Sequence, residues 1–237
     1  NQKYVQIVSE RHLITCFAAE EVAKFFKFAN FNCSPEIIDM RGWLWHDYQK
    51  RKNNYSVSPR YTGIIDLSKI KKENVEKHLL LSMGSSRRQE YKKSFKANEY
   101  IIQTSDITNL VKYYRKNMEK QNELRTLNFI NCLTKILLNS LKKNNGIYIE
   151  CLSATNKFLA GSFWLITKNK AIYFWGSKTT DQLSSSAGTR VLIESMKNLH
   201  KEGITMFDLE GINSPQRGWF KVSLGSMIIP YYSVKLN

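Results

Sequence analysis

The sequence predicts a fold with both helices and strands, α/β or α+β in class, in which helices flank a mixed sheet. Short β-branched and aromatic runs separated by brief turns predict antiparallel strands at 147–153, 158–167 and 171–176. Residues 187–202 then carry apolar side chains at helical spacing, and 204–210 has the composition of a further strand. A strand, a helix and a strand in this order cross over right-handedly, so the last strand is expected to lie parallel to its neighbour.

The first 97 residues predict a partial N-terminal lobe. Apolar periodicity indicates, in chain order, a strand, a helix, a strand and then one long or two short helices, at 3–8, 18–28, 61–67 and 72–96. Residues 41–60 are aromatic and basic, which suits either a nucleotide clamp or an irregular connector pinned by buried tryptophans. The pattern restarts near residue 98, where we place the boundary between domains 1–97 and 98–237.

Two amphipathic helices open the second predicted domain. Ser105 or Asp106 is expected to cap the first helix, Thr126 the second, and Gly146 is expected to close it. After the strand–helix–strand unit, 215–225 predicts a short helix or a tight loop, and 227–236 predicts the last strand. The domain should therefore hold one mixed sheet with flanking helices.

The composition limits the classes of partner. A net charge of +16 over 237 residues attracts polyanions such as nucleic acid, coenzyme phosphates or an anionic membrane surface, although a Lys-rich genome produces such a surface too. The four cysteines and four histidines show no metal-ligand spacing, so we expect reduced thiols and no metal. Because no apolar run approaches the length of a membrane span and no signal segment opens the chain, we expect a cytoplasmic protein without a transmembrane segment.

Two carboxylates lie at the carboxyl end of the predicted parallel strand. Asp208 and Glu210 alternate onto one face at its carboxyl end, where open α/β sheets hold their ligands. Either carboxylate suits the task of accepting a proton from an amine, and Asp208 suits equally the task of capping the turn at Gly211. Lys221 follows as a cation for developing charge or as a solvated surface residue. Aromatic residues expected to wall a cleft, or to pack in the core, are Trp175, Trp219, Phe220 and Tyr232.

Three stretches together resemble one known family. They are 62–68 followed by Ser86-Arg87-Arg88, the strand end 207–212, and Phe220-Lys221-x-x-Leu224-Gly225 followed by Pro230-Tyr231-Tyr232. In this order they resemble the GNAT (N-acetyltransferase) fold, and in detail its FemABX-type branch, whose members move aminoacyl or acyl groups onto amines. The resemblance runs from about residue 60 to the end of the chain.

The resemblance implies a donor site at the start of the helix at 187–202. GNAT proteins that use acetyl-CoA carry Gln/Arg-x-x-Gly-x-Gly/Ala there, and Gln182 to Ala187 has this spacing with Ser185 in the place of glycine. Backbone N–H groups and the helix dipole at such a loop hold a pyrophosphate, whereas the serines alternatively serve only as a helix cap. The implied donor-binding residues are Gln182, Ser185, Ser186, Ala187, Gly188 and Arg190.

The resemblance implies an N-acyltransferase. Its donor is an acyl-CoA, such as acetyl-CoA, or an aminoacyl-tRNA, and its acceptor is an amine of an amino sugar or a cell-envelope precursor. Asp208, Glu210 and Lys221 are the implied catalytic residues, with the choice of base between the two carboxylates open. Two alternatives remain, namely a non-catalytic basic module that binds RNA or an anionic glycan carrier, and a partner subunit that keeps the fold without its donor site.

Overall fold

The computed structural model describes residues 2–49, 54–180 and 186–236. The chain forms two compact units, the first comprising Asn1–Thr62, Gly211–Asn213 and Ile228–Asn237, and the second Gly63–Glu210 and Ser214–Met227. The elements in chain order are α1 (Gln2–Phe25), β1 (Ala29–Asn32), α2 (Arg41–Leu44), β2 (Tyr55–Asp66), α3 (Val75–Ser82), α4 (Ser85–Lys96), β3 (Tyr100–Gln103), α5 (Thr108–Lys120), α6 (Leu127–Lys142), β4 (Gly146–Leu152), β5 (Phe158–Thr167), β6 (Lys170–Lys178), α7 (Ala187–Lys201), β7 (Met206–Gly211), α8 (Pro215–Val222) and β8 (Met227–Leu236).

The first unit pairs chain segments that are far apart in the sequence. β1 runs antiparallel to β8, with Ala29 opposite Leu236, and β8 neighbours β2. Its core contains Trp43, whose ring packs against the rings of Phe31 and Tyr55 at centroid distances of 5.1 Å. Of the two tryptophans expected to pin an irregular connector at 41–60, Trp43 is buried and Trp45 is 54% exposed. The stretch is not irregular throughout, because it contains α2 and the start of β2, and residues 50–53 lie outside the described residues.

The strand expected at 3–8 is wrong, because these residues belong to helix α1. Six residues, two polar and four apolar, carry too little periodicity to distinguish a strand from part of a helix. A helix satisfies its backbone hydrogen bonds internally, whereas an isolated strand needs a partner strand for them. The helix expected at 18–28 is confirmed in its first part and ends at Phe25.

The second unit contains the predicted mixed sheet. Its strand order is β2 (63–66), β7, β6, β5, β4 and β3. The hairpins β4–β5 and β5–β6 are antiparallel and β6–β7 is parallel, as the sequence predicts. The pattern did not indicate β3, which pairs antiparallel with β4 at one edge. Both sides of the proposed boundary at 97/98 lie in this unit, and that boundary stays a prediction.

Helices cover both faces of this sheet. On one face, α7, α3 and α4 enclose a core that includes Trp164 and Phe207, and on the other face α5 and α6 enclose Tyr148 and Phe163. The region 72–96 contains two helices rather than one. These two layers fix where the strand ends of the sheet lie.

The prediction for the start of α6 is confirmed, and the prediction for its end is wrong. Thr126 caps α6, since its hydroxyl accepts a hydrogen bond from the Phe129 N–H at 3.2 Å. Gly146 does not close α6 but begins β4, and Asn144, with φ of 56°, makes the left-handed turn after the helix. A Cβ on Gly146 would lie 2.8 Å from the Phe163 ring, so close packing accounts for this glycine.

Within the described residues, no helix combines the length and the hydropathy that a membrane span requires.

Candidate active site

Strands β6 and β7 part at their carboxyl ends. They pair over three positions, from Lys170 opposite Met206 to Ile172 opposite Asp208, and pair no further in the described residues. β6 continues to Lys178 alongside β5, whereas β7 continues to Gly211. Backbone groups along the opened edge of β6 are therefore available to a ligand, as expected at the carboxyl edge of an α/β sheet.

A β-bulge lies at the point where the strands part. Phe163 is opposite Trp175 and Trp164 is opposite Tyr173, which leaves Phe174 as an extra residue on β6. A bulge bends its strand and re-aims the neighbouring side chains. Tyr173 accordingly packs with the α7-side core, while Phe174 and Trp175 both pack on the α5 side. The bulge turns the backbone of β6 at the mouth of the cleft.

Asp208 lies at the last paired position of β7 and is only 7% exposed. Its Oδ2 contacts the Lys170 Nζ at 3.0 Å, and its Oδ1 accepts a hydrogen bond from the Glu210 N–H at 2.9 Å. The carboxylate therefore joins the start of β6 to the end of β7. These contacts hold the strand end, and a role for Asp208 in proton transfer stays a prediction.

Glu210 has an exposed side chain on an unusual backbone. Its φ is 64°, the left-handed region that a residue with a Cβ rarely occupies. The hydrogen bond from its N–H to Asp208 helps to hold this conformation. Non-glycine residues in such conformations cost about 1–3 kcal/mol and concentrate at active sites and ligand clamps. The left-handed residue also ends the strand alternation, so Asp208 and Glu210 do not share one regular strand face.

Lys221 lies on α8 with its ammonium turned towards β6. The Nζ is 5.6 Å from the centre of the Tyr173 ring. Burial lowers the pKa of Lys221 to about 8; the charges of Glu210 and Asp208 act in the opposite direction, and Arg217 adds to the lowering. The structure thus brings the three predicted catalytic residues into one electrostatic cluster. A lysine with a pKa near neutrality suits proton transfer.

Contacts at both ends of α8 determine where Lys221 lies. At its C-terminal end the Gly84 N–H donates to the Ser223 carbonyl at 2.9 Å, and the Arg87 guanidinium lies 5.2 Å from the Phe220 ring. At its N-terminal end the Arg217 guanidinium donates to Gln121 at 2.7 Å and to Glu123 at 2.9 Å. The α3–α4 turn and the α5–α6 loop therefore hold the helix that carries the lysine.

Ser186 and Arg190, predicted to bind the donor, face the interior at the start of α7. The Ser186 hydroxyl donates to buried Glu99 at 2.7 Å. The Arg190 guanidinium lies 3.4 Å from the centre of the Phe95 ring and 3.7 Å from Glu194. These contacts tie α7 to α4 and to the start of β3.

Two other predicted donor residues differ in their surroundings. Ala187 is fully buried in the core, whereas a Cβ placed on the half-buried Gly188 would meet no described residue within 4 Å. Among the described residues, this side of α7 is therefore unobstructed, next to N–H groups of the first turn that have no partner inside a helix. Gln182 and Ser185 lie outside the described residues.

The predicted cleft walls have different environments. Trp219 is 74% exposed on α8, and Phe220 packs partly against the α7-side core. Trp175 is buried beside Tyr114, and its indole N–H has no hydrogen-bond partner in the described residues. Tyr232 belongs to the first unit, where it packs against the core around Trp43.

Sequence reasoning missed Lys170 and Tyr173 at this site. The Tyr173 hydroxyl lies where a Cβ on Gly176 would sit, and burial raises the pKa of Tyr173 to about 12. The one sequence feature that reflects the position of Tyr173 is Gly176, which leaves room for the tyrosine hydroxyl. This link cannot be inferred from sequence, because it depends on the bulge in β6. Within the described residues, no group of three or more His, Cys, Asp or Glu side chains is placed to hold a metal ion.

Solved structures share this architecture. FemX matches with a TM-score of 0.65 and 12% identity, over 98% of this chain and 77% of FemX. The C-terminal domain of a putative lysylphosphatidylglycerol synthetase from Agrobacterium fabrum matches with a TM-score of 0.54 and 12% identity, over 82% of this chain and 65% of that domain. A tandem GNAT protein from the clavulanic acid biosynthesis pathway matches with a TM-score of 0.55 and 9% identity, over 94% of this chain and 67% of that protein. No protein-family model and no curated protein matches the chain.

The likeness to these structures shows the fold. The chain has a GNAT-like mixed α/β fold, which it shares with FemX, and this confirms the fold class and the resemblance in fold inferred from the three sequence stretches.

Proposed function

We propose that the protein is an N-acyltransferase that moves an acyl or aminoacyl group from an activated donor onto an amine. The observation that carries the proposal is Lys221, a partly desolvated lysine with a pKa of about 8, beside Glu210 and Asp208 at the parting of β6 and β7. The fold shared with FemX and a tandem GNAT protein supports a transferase. We assign the acceptor to the amino sugars or cell-envelope precursors, and the enzyme to the cytoplasm, where both donors are made.

The proposed step begins with attack of the amine nitrogen on the acyl carbon. A new N–C bond forms, the carbonyl becomes an oxyanion, and the nitrogen loses its proton to Glu210, the exposed carboxylate of the pair. Backbone N–H groups at 173–175, beside the bulge, are the proposed oxyanion donors. The bond to the leaving sulfur or oxygen then breaks, and the leaving group takes a proton from Lys221.

Asp208 has a positioning role in this scheme. Its contacts with the Lys170 ammonium and the Glu210 N–H support the assignment of the base to Glu210 rather than Asp208. Asp208 is buried between Lys170 and the Glu210 N–H, whereas the Glu210 side chain is exposed and can be reached by an incoming amine.

The two donor classes make different demands on the start of α7. The phosphates of an acyl-CoA would be held there by backbone N–H groups beside Gly188, because the Ser186 and Arg190 side chains contact Glu99 and Phe95 instead. An aminoacyl-tRNA donor does not depend on this helix start. The net charge of +16 suits either anionic donor.

Donor binding and product formation test the proposal together. Acetyl-CoA should raise the melting temperature if it is the donor, whereas salt-sensitive binding of aminoacyl-tRNA indicates the other class. Mass spectrometry of a panel of amino sugars and envelope precursors incubated with each donor should detect an amide product. If neither donor binds and Lys221→Met with Glu210→Gln leaves biological activity intact, the non-catalytic basic module is the correct function.

A further inference from the structure

A groove of about 660 Å³ lies on the α5–α6 side of the second unit. Ile107, Val111 and Leu138 give it an apolar floor, while Lys112, Arg115 and Lys116 form a basic rim. The three cations are spaced three and four residues apart, so they lie on one face of α5. The groove therefore combines a hydrophobic floor with a row of positive charge.

The basic rim outnumbers the carboxylates of the groove. Asp106 and Glu119 also line it, but in the described chain none of the three cations makes an ion pair with either carboxylate. The ammonium groups of Lys112 and Lys116 both lie 5.5 Å from the centre of the Tyr113 ring, on the same side of α5. An anionic partner would supply the missing counter-charges.

Exposed leucines extend the apolar part of this surface. Leu124, Leu127 and Leu138 are all solvent-exposed on the α5–α6 loop and α6. The segment 105–143 carries eight basic and three acidic residues, a net charge of +5. Apolar side chains beside clustered lysines are the pattern of surfaces that bind anionic lipid headgroups and insert shallowly.

We propose that the α5–α6 face docks on an anionic phospholipid bilayer, with headgroup phosphates along the Lys112–Lys116 rim and the leucines in the acyl boundary. RNA offers phosphates but no apolar phase for the leucines. The one aromatic ring between the rim lysines, Tyr113, is stacked on Phe158 at 4.7 Å and so is not free to stack on a base. The combination of apolar and basic groups favours the bilayer.

The docking face adjoins one rim of the candidate active site. The Asn117 side chain of α5 bonds both the N–H and the carbonyl of Lys178, at 3.1 and 3.0 Å, and Lys120 donates to the Thr180 carbonyl at 3.3 Å. Docking would place the end of β6 near the membrane. If the proposed acyl transfer is correct, the acceptor is then a membrane-bound amine, but the docking itself does not depend on that transfer.

Vesicle cosedimentation tests the docking without any donor or acceptor. The protein should bind phosphatidylglycerol–phosphatidylcholine vesicles, should bind pure phosphatidylcholine weakly, and should dissociate as salt rises. Lys112→Glu with Lys116→Glu should weaken partition about 20-fold or more. The matched control is Lys92→Glu with Lys96→Glu on α4, which has the same spacing, exposure and change of charge and should weaken partition far less.

A second pair of variants separates the apolar contribution from charge. Leu138→Asp should weaken vesicle binding, whereas Leu81→Asp, at an exposed leucine on α3, should weaken it much less. Circular dichroism confirms that each variant is folded. Absence of vesicle binding, equal losses for both lysine pairs, or RNA binding at this face without vesicle binding would each overturn the proposal. If the protein catalyses acyl transfer but does not bind vesicles, the membrane docking is wrong and the proposed function is retained.

Discussion

Two regions at the same edge of the sheet are built in opposite ways. The β7–α8 segment (206–222) keeps charged groups together in a half-buried place, with a strained residue and a lysine of lowered pKa. The start of α7 (186–190) turns its polar side chains inward, where Ser186 donates to Glu99 and the Arg190 guanidinium packs on Phe95; the buried Arg190 Nε has no hydrogen-bond partner in the described residues. Strain and desolvation lower stability, so they persist where function requires them. The first region therefore suits chemistry, and the second serves mainly to hold the helix.

Among substitutions in these two regions, we expect the largest effect on the rate of acyl transfer at Lys221. Lys221→Met should lower the rate of acyl transfer about 10²- to 10³-fold, because the transition state loses its nearby positive charge and proton donor. Single-turnover product formation measures this loss. Lys221→Arg keeps the charge but not the lowered pKa, so it should restore less than half of the lost activation free energy. A Met variant as active as the parent would remove Lys221 from the mechanism.

The stability of the Lys221→Met variant has a pH signature. Because the folded-state pKa is lowered to about 8 from an ordinary value of 10.5, the unfolded chain binds more protons between these values. The stability contributed at position 221 therefore rises with pH between about 8 and 10.5. Below pH 8 the Met variant should be the more stable protein, and its advantage should shrink above pH 8. Urea unfolding at pH 7, 9 and 10 measures the difference.

Glu210 should show the second largest effect and a trade between activity and stability. Glu210→Gln should lower the transfer rate about 10²-fold through loss of the base. Glu210→Gly should lose the same activity but gain about 1 kcal/mol of unfolding free energy, since glycine tolerates a φ of 64°. Lys168→Gly, at a φ of 47° in the turn between β5 and β6, is the matched control, because lysine tolerates this region no better than glutamate; it should leave activity unchanged. A Gly variant less stable than the Gln variant contradicts the strain argument.

Local patterns predicted most of the sheet and little of the strain in it. The hairpins, α7 and the last strand at 227–236 follow from periodicity and turn length, which depend on neighbouring residues. The failure at 3–8 has the same origin, because six residues carry too little periodicity to decide. Patterns alone thus identified the strand end that carries Asp208 and Glu210.

Features that depend on distant packing could not be predicted. The bulge at Phe174 exists only in the register of β6 against β5, and the positive φ of Glu210 depends on how the strand end is held by Asp208. Arg190 appears in sequence as a cation near a phosphate loop, yet Phe95, nearly a hundred residues earlier, determines where its guanidinium lies. The sequence motif places Arg190 in the first turn of α7, but it does not determine which way the side chain points.

Arg190 tests the other side of the comparison and should affect stability rather than rate. Arg190→Met should cost about 2 kcal/mol of unfolding free energy, because the stacking on Phe95 and the ion pair with Glu194 are lost. Transfer by the folded fraction should change little. Arg115→Met, at an exposed arginine on α5, is the control for loss of charge alone. A large rise in the donor KM with unchanged stability would instead make Arg190 a donor ligand.

The smallest expected effect concerns Glu150, a buried carboxylate outside both regions. Its oxygens accept hydrogen bonds from the Tyr148 hydroxyl at 2.7 Å and from Asn109 at 3.5 Å, and burial raises its pKa. A raised carboxyl pKa means that the folded chain binds more protons, so its stabilising contribution is present at low pH and is lost as pH rises through the folded-state pKa. Glu150→Gln removes the buried charge; its amide oxygen accepts from Asn109 and its NH₂ group donates to the Tyr148 oxygen, so the variant should gain about 1 kcal/mol at neutral pH. Thermal unfolding from pH 4 to 9 measures the melting temperature of this variant and of the parent. Below pH 8 the melting temperature of the variant should depend less on pH than that of the parent. Above pH 8 both proteins should keep the rise in stability that we assign to Lys221.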